Sequence, residues 1–190
     1  MTLFVAESIE QPAPTKLFTI LGAEYRVTPW SWLNLPLMAF IGIVLALLFA
    51  PDGSEAWQIL VGLGYGLLII LSSFLHGVGH VISSRLVGGP VTWLVATATV
   101  NVTQYHDVEG QPRRVDVGRS LGGPVFNILL GVVAGGVYAF AGRNHFIGLF
   151  AVVNLAFGVF TLMPIPSLDG SVIWRSRGAH TDDPDGPAAP

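Results

Sequence analysis

Charge-free apolar stretches dominate the chain and predict membrane-crossing helices. Residues 27–51, 56–84, 120–142 and 144–168 each lack Asp, Glu, Lys and Arg. Each stretch is long enough for the roughly 20 residues that cross the hydrocarbon core of a bilayer. The second stretch is too long for a perpendicular crossing, so we expect its C-terminal end to project toward the membrane surface. The pattern predicts an α-helical membrane protein with about four transmembrane helices.

Two other segments alternate between apolar and polar residues and predict strands. Residues 16–28 are expected to form a strand pair at the membrane surface. Residues 90–117, rich in Val and Thr, are expected to form two to four strands of a small β-sheet at the cytoplasmic face. The predicted organisation is a cytoplasmic N-terminal tail with surface strands at 1–28, a membrane domain at 29–174 and a disordered C-terminal tail at 175–190.

The composition agrees with membrane insertion and restricts the chemistry. The chain has 190 residues, of which 52% are hydrophobic and 11% charged, whereas soluble domains carry roughly 25% charged residues. Its mean hydropathy is +0.63. Because the chain has no cysteine, it has neither disulfides nor thiolate ligands, and a metal ion would need His, Asp or Glu.

The basic residues predict the orientation in the membrane. Of the nine Lys and Arg residues, all but Arg143 flank the apolar stretches on one side. Because Lys and Arg are retained on the cytoplasmic side, we expect both termini and the middle loop in the cytoplasm, with the protein in the cell membrane. The net charge of −3 gives no indication of nucleic acid. The expected partners are the lipid bilayer and a transmembrane substrate or partner protein, and nucleic acid is not among them.

The segment FLHGVGHVISS carries the candidate chemistry. His76 and His80 lie four residues apart, which places them about 6 Å from each other on one helix face and suits a shared zinc ion. Asp169 follows the fourth stretch, so the predicted orientation places it on the same membrane side as a third ligand. Two imidazoles and one carboxylate leave one position open, as in catalytic zinc sites. A zinc peptidase helix also needs a glutamate after its first histidine, and here that residue is Gly77.

Taken in order, the motifs resemble those of the site-2 proteases, a family of intramembrane zinc metallopeptidases, over about residues 16–174. LHGVGH occupies the place of the family's His-Glu-x-x-His motif, and PIPSLDG carries Asp169 at the place of its third zinc ligand. GGPVFN resembles the third-span motif, which implies that Asn127 contacts substrate. The chain departs from the family at Gly77, where the family's glutamate deprotonates the zinc-bound water, and at Thr161, where the family usually has asparagine.

Three functional hypotheses follow. Removing a general base costs about 10²- to 10⁴-fold in rate, so we predict a pseudoprotease that keeps zinc and binds transmembrane segments or partner proteins. The alternative is an active intramembrane zinc metalloprotease whose base is Asp107, Glu109 or Asp116, or a group of the substrate. The third is a pigment- or haem-binding subunit of a membrane complex, since transmembrane histidines also bind such cofactors. Two histidines on one helix face, however, cannot supply both axial ligands of one haem.

Other polar residues in or beside the apolar stretches have structural explanations. His106 lies in the polar middle loop and His145 begins the fourth stretch, and we expect both at an interface rather than at a metal. Asn154 lies within the fourth stretch, where an interhelical hydrogen bond worth about 1 kcal/mol is expected.

Overall fold

Apolar helices and a four-stranded sheet make up the part of the chain that the computed structural model describes, which is residues 14–50, 52–105, 112–166 and 168–178. The elements are, in chain order, strands β1 (Thr15–Ile20) and β2 (Ala23–Val27), helices α1 (Asn34–Phe49) and α2 (Glu55–Leu86), strands β3 (Val91–Ala96) and β4 (Asn101–Tyr105), and helices α3 (Arg113–Phe140), α4 (His145–Thr161) and α5 (Asp169–Gly178). A short 3-10 helix, Ser31–Leu33, precedes α1.

Three helical segments of the described chain are long and apolar enough to cross a membrane: α1 with its 3-10 turn, α2 and α3. Their outer surfaces carry large exposed apolar side chains, such as Phe40, Leu67 and Val133, which suits contact with lipid. Helix α4 is apolar but has 17 residues, so the predicted fourth span stays a prediction. It ends at Thr161, before the predicted end of its apolar stretch, because the prolines that follow cannot continue a helix.

Helix α2 is longer than a membrane is thick. It has 32 residues, or about 48 Å at the rise of an α-helix, whereas a hydrocarbon core measures about 30 Å. At its N-terminus the Ser54 hydroxyl accepts a hydrogen bond from the Trp57 backbone N–H at 3.3 Å. The excess length predicted from the sequence is therefore confirmed, and it lets the same helix carry the histidines and a packing surface for the sheet.

Glycines allow α1 and α2 to pack backbone against backbone. Gly62 and Gly66 lie four residues apart on α2, and both are buried. A Cβ placed on Gly66 would lie 2.5 Å from the Met38 carbonyl oxygen and 3.0 Å from the Ala39 backbone nitrogen. Small residues at this spacing are how membrane helices approach closely where lipid provides no hydrophobic drive.

Gly66→Leu should therefore destabilise the helix bundle, by at least the 1–3 kcal/mol or so typical of overpacking, because the obstructing atoms are backbone. The measurement is the thermal unfolding midpoint in detergent. Gly136→Leu in α3 is the matched control, since a Cβ at Gly136 meets nothing within 4 Å. Equal midpoints for the two variants would contradict close α1–α2 packing.

The sheet joins strands from before the first helix to strands from after the second. Its order is β1-β2-β3-β4; β1–β2 and β3–β4 are antiparallel and β2–β3 is parallel. Leu21 and Gly22, with φ of 45° and 77°, form the two-residue turn between β1 and β2, as a tight hairpin requires. Ala23, Val81 and Val91 are buried together and fix the sheet on α2.

The predicted strand pair at 16–28 is confirmed, and the segment 90–117 is corrected in part. Two strands lie within its described residues, but residues 113–117 form the first turn of α3. Pro112 immediately precedes this helix and Asp116 lies in its first turn, both of which favour a helix start. The start of α3 was not predicted because the alternation of apolar and polar residues continues through it.

The C-terminal boundary is also corrected. The sequence places a disordered tail at 175–190, but α5 continues through residue 178. Its first residues dock on the bundle: Ser171 is buried, and the Trp174 indole N–H donates to the Leu162 carbonyl at 3.3 Å. Residues 1–13 and 179–190 lie outside the described chain, so the predicted tails stay predictions there.

Candidate metal centre

The three predicted metal ligands lie together at the junction of α2 and α5. His76 and His80 are one turn apart on α2 and are 8% and 3% exposed, and their Nε2 atoms are 3.1 Å apart. Asp169, the first residue of α5, places Oδ2 3.1 Å from His76 Nε2 and Oδ1 3.3 Å from His80 Nε2. The structure thus brings together residues that are far apart in sequence.

These distances fit a tetrahedral zinc site. Zinc binds nitrogen and oxygen ligands at about 2.0–2.1 Å, so neighbouring ligand atoms of a tetrahedron lie about 3.3–3.4 Å apart. The imidazole and carboxylate atoms of the cluster, at 3.1–3.3 Å from each other, are close to that spacing. A small outward adjustment of the side chains would bring the ligand atoms to the tetrahedral spacing.

Hydrogen bonding orients one of the imidazoles for ligation. His80 Nδ1 donates to the Arg119 carbonyl of α3 at 2.7 Å, which leaves the Nε2 lone pair of that ring directed at the cluster. Such a donor bond from the outer nitrogen is the usual support of a metal-binding histidine. The His76 Nδ1 atom is buried and has no hydrogen-bond partner within the described residues.

Asp169 reaches the histidines because the chain turns back after α4. Burial raises the pKa of the Asp169 carboxyl, but hydrogen bonds with His76 and His80 outweigh this effect and hold that pKa at about 2. The carboxyl is therefore ionised at neutral pH, as a metal ligand must be.

Leu94 fills the space beside Gly77, the position at which a zinc peptidase helix would carry glutamate. A Cβ at Gly77 would lie 2.5 Å from Leu94 Cδ1 and 2.9 Å from Leu94 Cδ2. Leu94 comes from β3 and is completely buried, so its side chain cannot move aside without displacing its neighbours. No sequence signal indicates this contact beyond the apolar alternation of β3, which predicts an inward-facing side chain but no particular neighbour.

Gly123 of α3 forms another wall of the site. A Cβ at Gly123 would lie 2.5 Å from the Nε2 atoms of both His76 and His80. Any side chain at this position would therefore occupy the space in front of the ligand nitrogens. Nearby, a Cβ at Gly79 would lie 2.6 Å from the Gly122 carbonyl oxygen, so α2 and α3 are in backbone contact beside the histidines.

Asn127 is part of the buried polar interior beside the cluster. It is completely buried, and its Nδ2 donates to the Ser72 carbonyl at 3.4 Å. The Asn127 side chain also lies within interaction range of the His76 imidazole, and among the described residues neither Asn127 Oδ1 nor His76 Nδ1 makes a hydrogen bond of regular geometry. The substrate contact implied by the family resemblance stays a prediction.

The remaining polar residues of the apolar stretches make structural contacts. Asn154 Nδ2 donates to the Ser72 hydroxyl at 2.9 Å, which is the expected interhelical hydrogen bond. His145 lies away from the cluster and shares a 3.0 Å hydrogen bond with the Tyr65 hydroxyl. The Thr161 hydroxyl donates to the Phe157 carbonyl of its own helix at 3.0 Å.

The candidate substitute bases are only partly described. Asp107 and Glu109, together with His106, lie outside the described residues. Asp116 lies in the first turn of α3, with Oδ1 3.9 Å from the Arg119 guanidinium, and its side chain is 40% exposed. Its described ion-pair contact is therefore with an arginine rather than with the histidines.

The fold is similar to that of a solved site-2 protease. The site-2 protease from Methanocaldococcus jannaschii superposes with a TM-score of 0.62 and 19% sequence identity, covering 90% of this chain and 74% of that one. The scan against protein-family models and the search of curated proteins gave no match. The chain therefore has a site-2-protease-like fold, with a small sheet attached to apolar helices.

Proposed function

We propose that this chain is a site-2-protease-like protein of the cell membrane that holds zinc at His76, His80 and Asp169 and binds transmembrane segments of other proteins without cleaving them. Both termini lie in the cytoplasm in this proposal. The observation that carries it is the combination of an assembled ligand cluster with Leu94 packed where a side chain at position 77 would begin.

The donor set suits zinc, and the missing group is the base. When bound, zinc would polarise a peptide carbonyl or activate water. The residues of the chain hold the ion through two buried imidazoles and an ionised carboxylate, but position 77 offers no proton acceptor. Leu94 instead packs an apolar, buried side chain against this position, so this side of the site lacks the proton acceptor that hydrolysis requires.

No specific observation in the described residues favours either alternative function. An active protease needs a base near the cluster, and the described candidate, Asp116, has its ion-pair contact with Arg119. A haem needs a ligand directed at the face of a planar macrocycle. His76 and His80 direct their Nε2 atoms at each other and at Asp169, which leaves no face for the ring.

The test is binding and cleavage of a fluorescent transmembrane peptide by the full-length protein in lipid nanodiscs. Saturable energy transfer between the protein and the fluorescent peptide, without any cleaved product, supports the proposal. Cleavage that His80→Ala abolishes would instead establish the active protease, and absence of both signals would remove the binding role. Because the chain has no cysteine, a single cysteine at Arg113 or Arg143 also allows impermeant labelling to determine the orientation.

Gly123→Ala should weaken zinc binding although it changes no ligand. The added methyl group would lie in the space before both ligand nitrogens, so the loss should at least match the 10- to 100-fold or so caused by removing an outer partner of a metal ligand. Competition with a zinc-chelating dye measures the affinity. Gly136→Ala on the same helix is the control, and equal affinities of the two variants would place the metal elsewhere.

A further inference from the structure

A polar cavity lies between the sheet and the ends of α2 and α3, apart from the candidate metal centre. Its volume is about 440 Å³, within the range of small-ligand sites. The lining includes three arginines, one from each neighbouring part of the fold: Arg26 of β2, Arg85 of α2 and Arg119 of α3. Glu24 is the acidic residue of the lining, so the cavity carries an excess of positive charge.

The arginines are held in place to different degrees. Arg26 hydrogen-bonds to Glu24 and stacks 3.8 Å above the Trp93 ring. Hydrogen bonds from Lys16 and Arg26 keep the pKa of Glu24 below its usual value, so this carboxylate stays ionised and offsets Arg26. Arg119 is buried, donates from Nε to the Gly89 carbonyl at 2.7 Å and lies 4.5 Å from the Tyr105 ring.

Arg85 is the arginine whose charge the described acids do not balance. It lies in the last turn of α2, and no described carboxylate approaches its guanidinium to within 4.0 Å. The guanidinium reaches across to the β1–β2 turn, where a Cβ at Gly22 would lie 3.2 Å from Arg85 Cζ. The cavity thus presents one uncompensated guanidinium beside a second, that of Arg119, which the Gly89 carbonyl and the Tyr105 ring hold in place.

We propose that this cavity binds the phosphate group of an anionic phospholipid. Guanidinium groups match phosphate oxygens with paired, charge-assisted hydrogen bonds. The position favours a lipid as the source, since Arg85 and Arg119 lie at the polar ends of the apolar segments of α2 and α3, the part of a spanning helix that faces lipid headgroups. Basic pockets at this level between membrane helices are recognised sites for anionic headgroups.

The cavity shares a residue with the metal centre. The Arg119 side chain lines the cavity, while its backbone carbonyl accepts the hydrogen bond from His80 Nδ1. A lipid phosphate bound to the Arg119 guanidinium would therefore be coupled to the orientation of His80, because the same residue makes both contacts. For the same reason Arg119 is unsuited to a clean test, and Arg85, exposed at the helix end, is the residue to change.

The experiment titrates the full-length protein in neutral detergent with phosphatidylglycerol and with phosphatidylcholine and counts bound lipids by native mass spectrometry. We expect saturable binding of phosphatidylglycerol, weakened about tenfold by Arg85→Gln, the loss of one charge-assisted contact. Arg113→Gln is the matched control, because it removes the same charge from an exposed residue at the start of α3 that does not line the cavity.

The outcomes separate the possible sources of binding. Equal weakening by Arg85→Gln and Arg113→Gln would show general surface attraction and overturn the site. Equal binding of both lipids would overturn the net negative charge of the headgroup as its basis. Displacement of phosphatidylglycerol by inorganic phosphate in modest excess would overturn the lipid source and assign the cavity to a soluble phosphate.

Discussion

Zinc is expected to remain with the detergent-purified protein at about one ion per chain, as for a site with three protein ligands, and His80→Ala should remove it. The variant loses one of two buried imidazoles whose Nε2 atoms are 3.1 Å apart. It also loses the ring that Arg119 orients. Loss of a ligand should exceed the 10- to 100-fold or so cost of losing its outer partner. Elemental analysis by mass spectrometry measures the ratio.

Two further variants distinguish loss of a metal ligand from misfolding and from adventitious metal binding. Asp169→Asn keeps the shape of the ligand while removing its charge, and it should also lower the zinc content. His145→Ala removes a histidine that bonds to Tyr65 rather than to the cluster, and it should keep the zinc. A parent protein without metal, or an His80→Ala variant that retains it, would contradict the proposed centre.

The second large effect is expected on peptidase activity when a glutamate is introduced at position 77 as a general base. Gly77→Glu alone should give little peptidase activity, because its Cβ would meet Leu94 Cδ1 at 2.5 Å and the carboxylate would be displaced. A misplacement of about 1 Å can cost about 10²-fold in rate. Gly77→Glu combined with Leu94→Ala should raise hydrolysis of a transmembrane peptide by about 10²- to 10⁴-fold over the parent, the usual contribution of a general base.

The controls separate the effect of adding a base from the effect of opening the space that its side chain occupies. Leu94→Ala alone opens the space without a base, and Gly77→Gln with Leu94→Ala supplies a side chain of the same size without basicity; both should stay inactive. Full activity of the single Gly77→Glu variant would show that Leu94 does not obstruct the site. A parent that already cleaves the peptide would favour the active-protease alternative.

The sequence predicted those features that depend on local pattern. Charge-free stretches locate apolar helices because burying a charge in lipid is costly, and the spacing of His76 and His80 follows from the helical repeat alone. The pairing of this cluster with Asp169 required only that both lie on one membrane side. None of these features depends on how the helices pack against one another.

The sequence could not predict contacts made by distant segments. Leu94 looks like any inward-facing strand residue, and its position beside Gly77 depends on how the sheet docks on α2. The start of α5 at Asp169 was missed because DGSVIW has little helical pattern, and docking of Ser171 and Trp174 on the bundle stabilises it there. The role of Gly123 likewise depends on its contact with both histidine rings.

The parallel pairing of β2 with β3 has a consequence for how the chain folds during synthesis. β2 precedes α1 and β3 follows α2, so this pairing closes a loop that contains both helices. Contacts between such distant segments form late, because the intervening chain must first be ordered. The β1–β2 hairpin must therefore wait, with one edge unpaired, until the two helices have inserted and β3 has emerged. Only then does the sheet that carries Leu94 complete the pocket around the histidines.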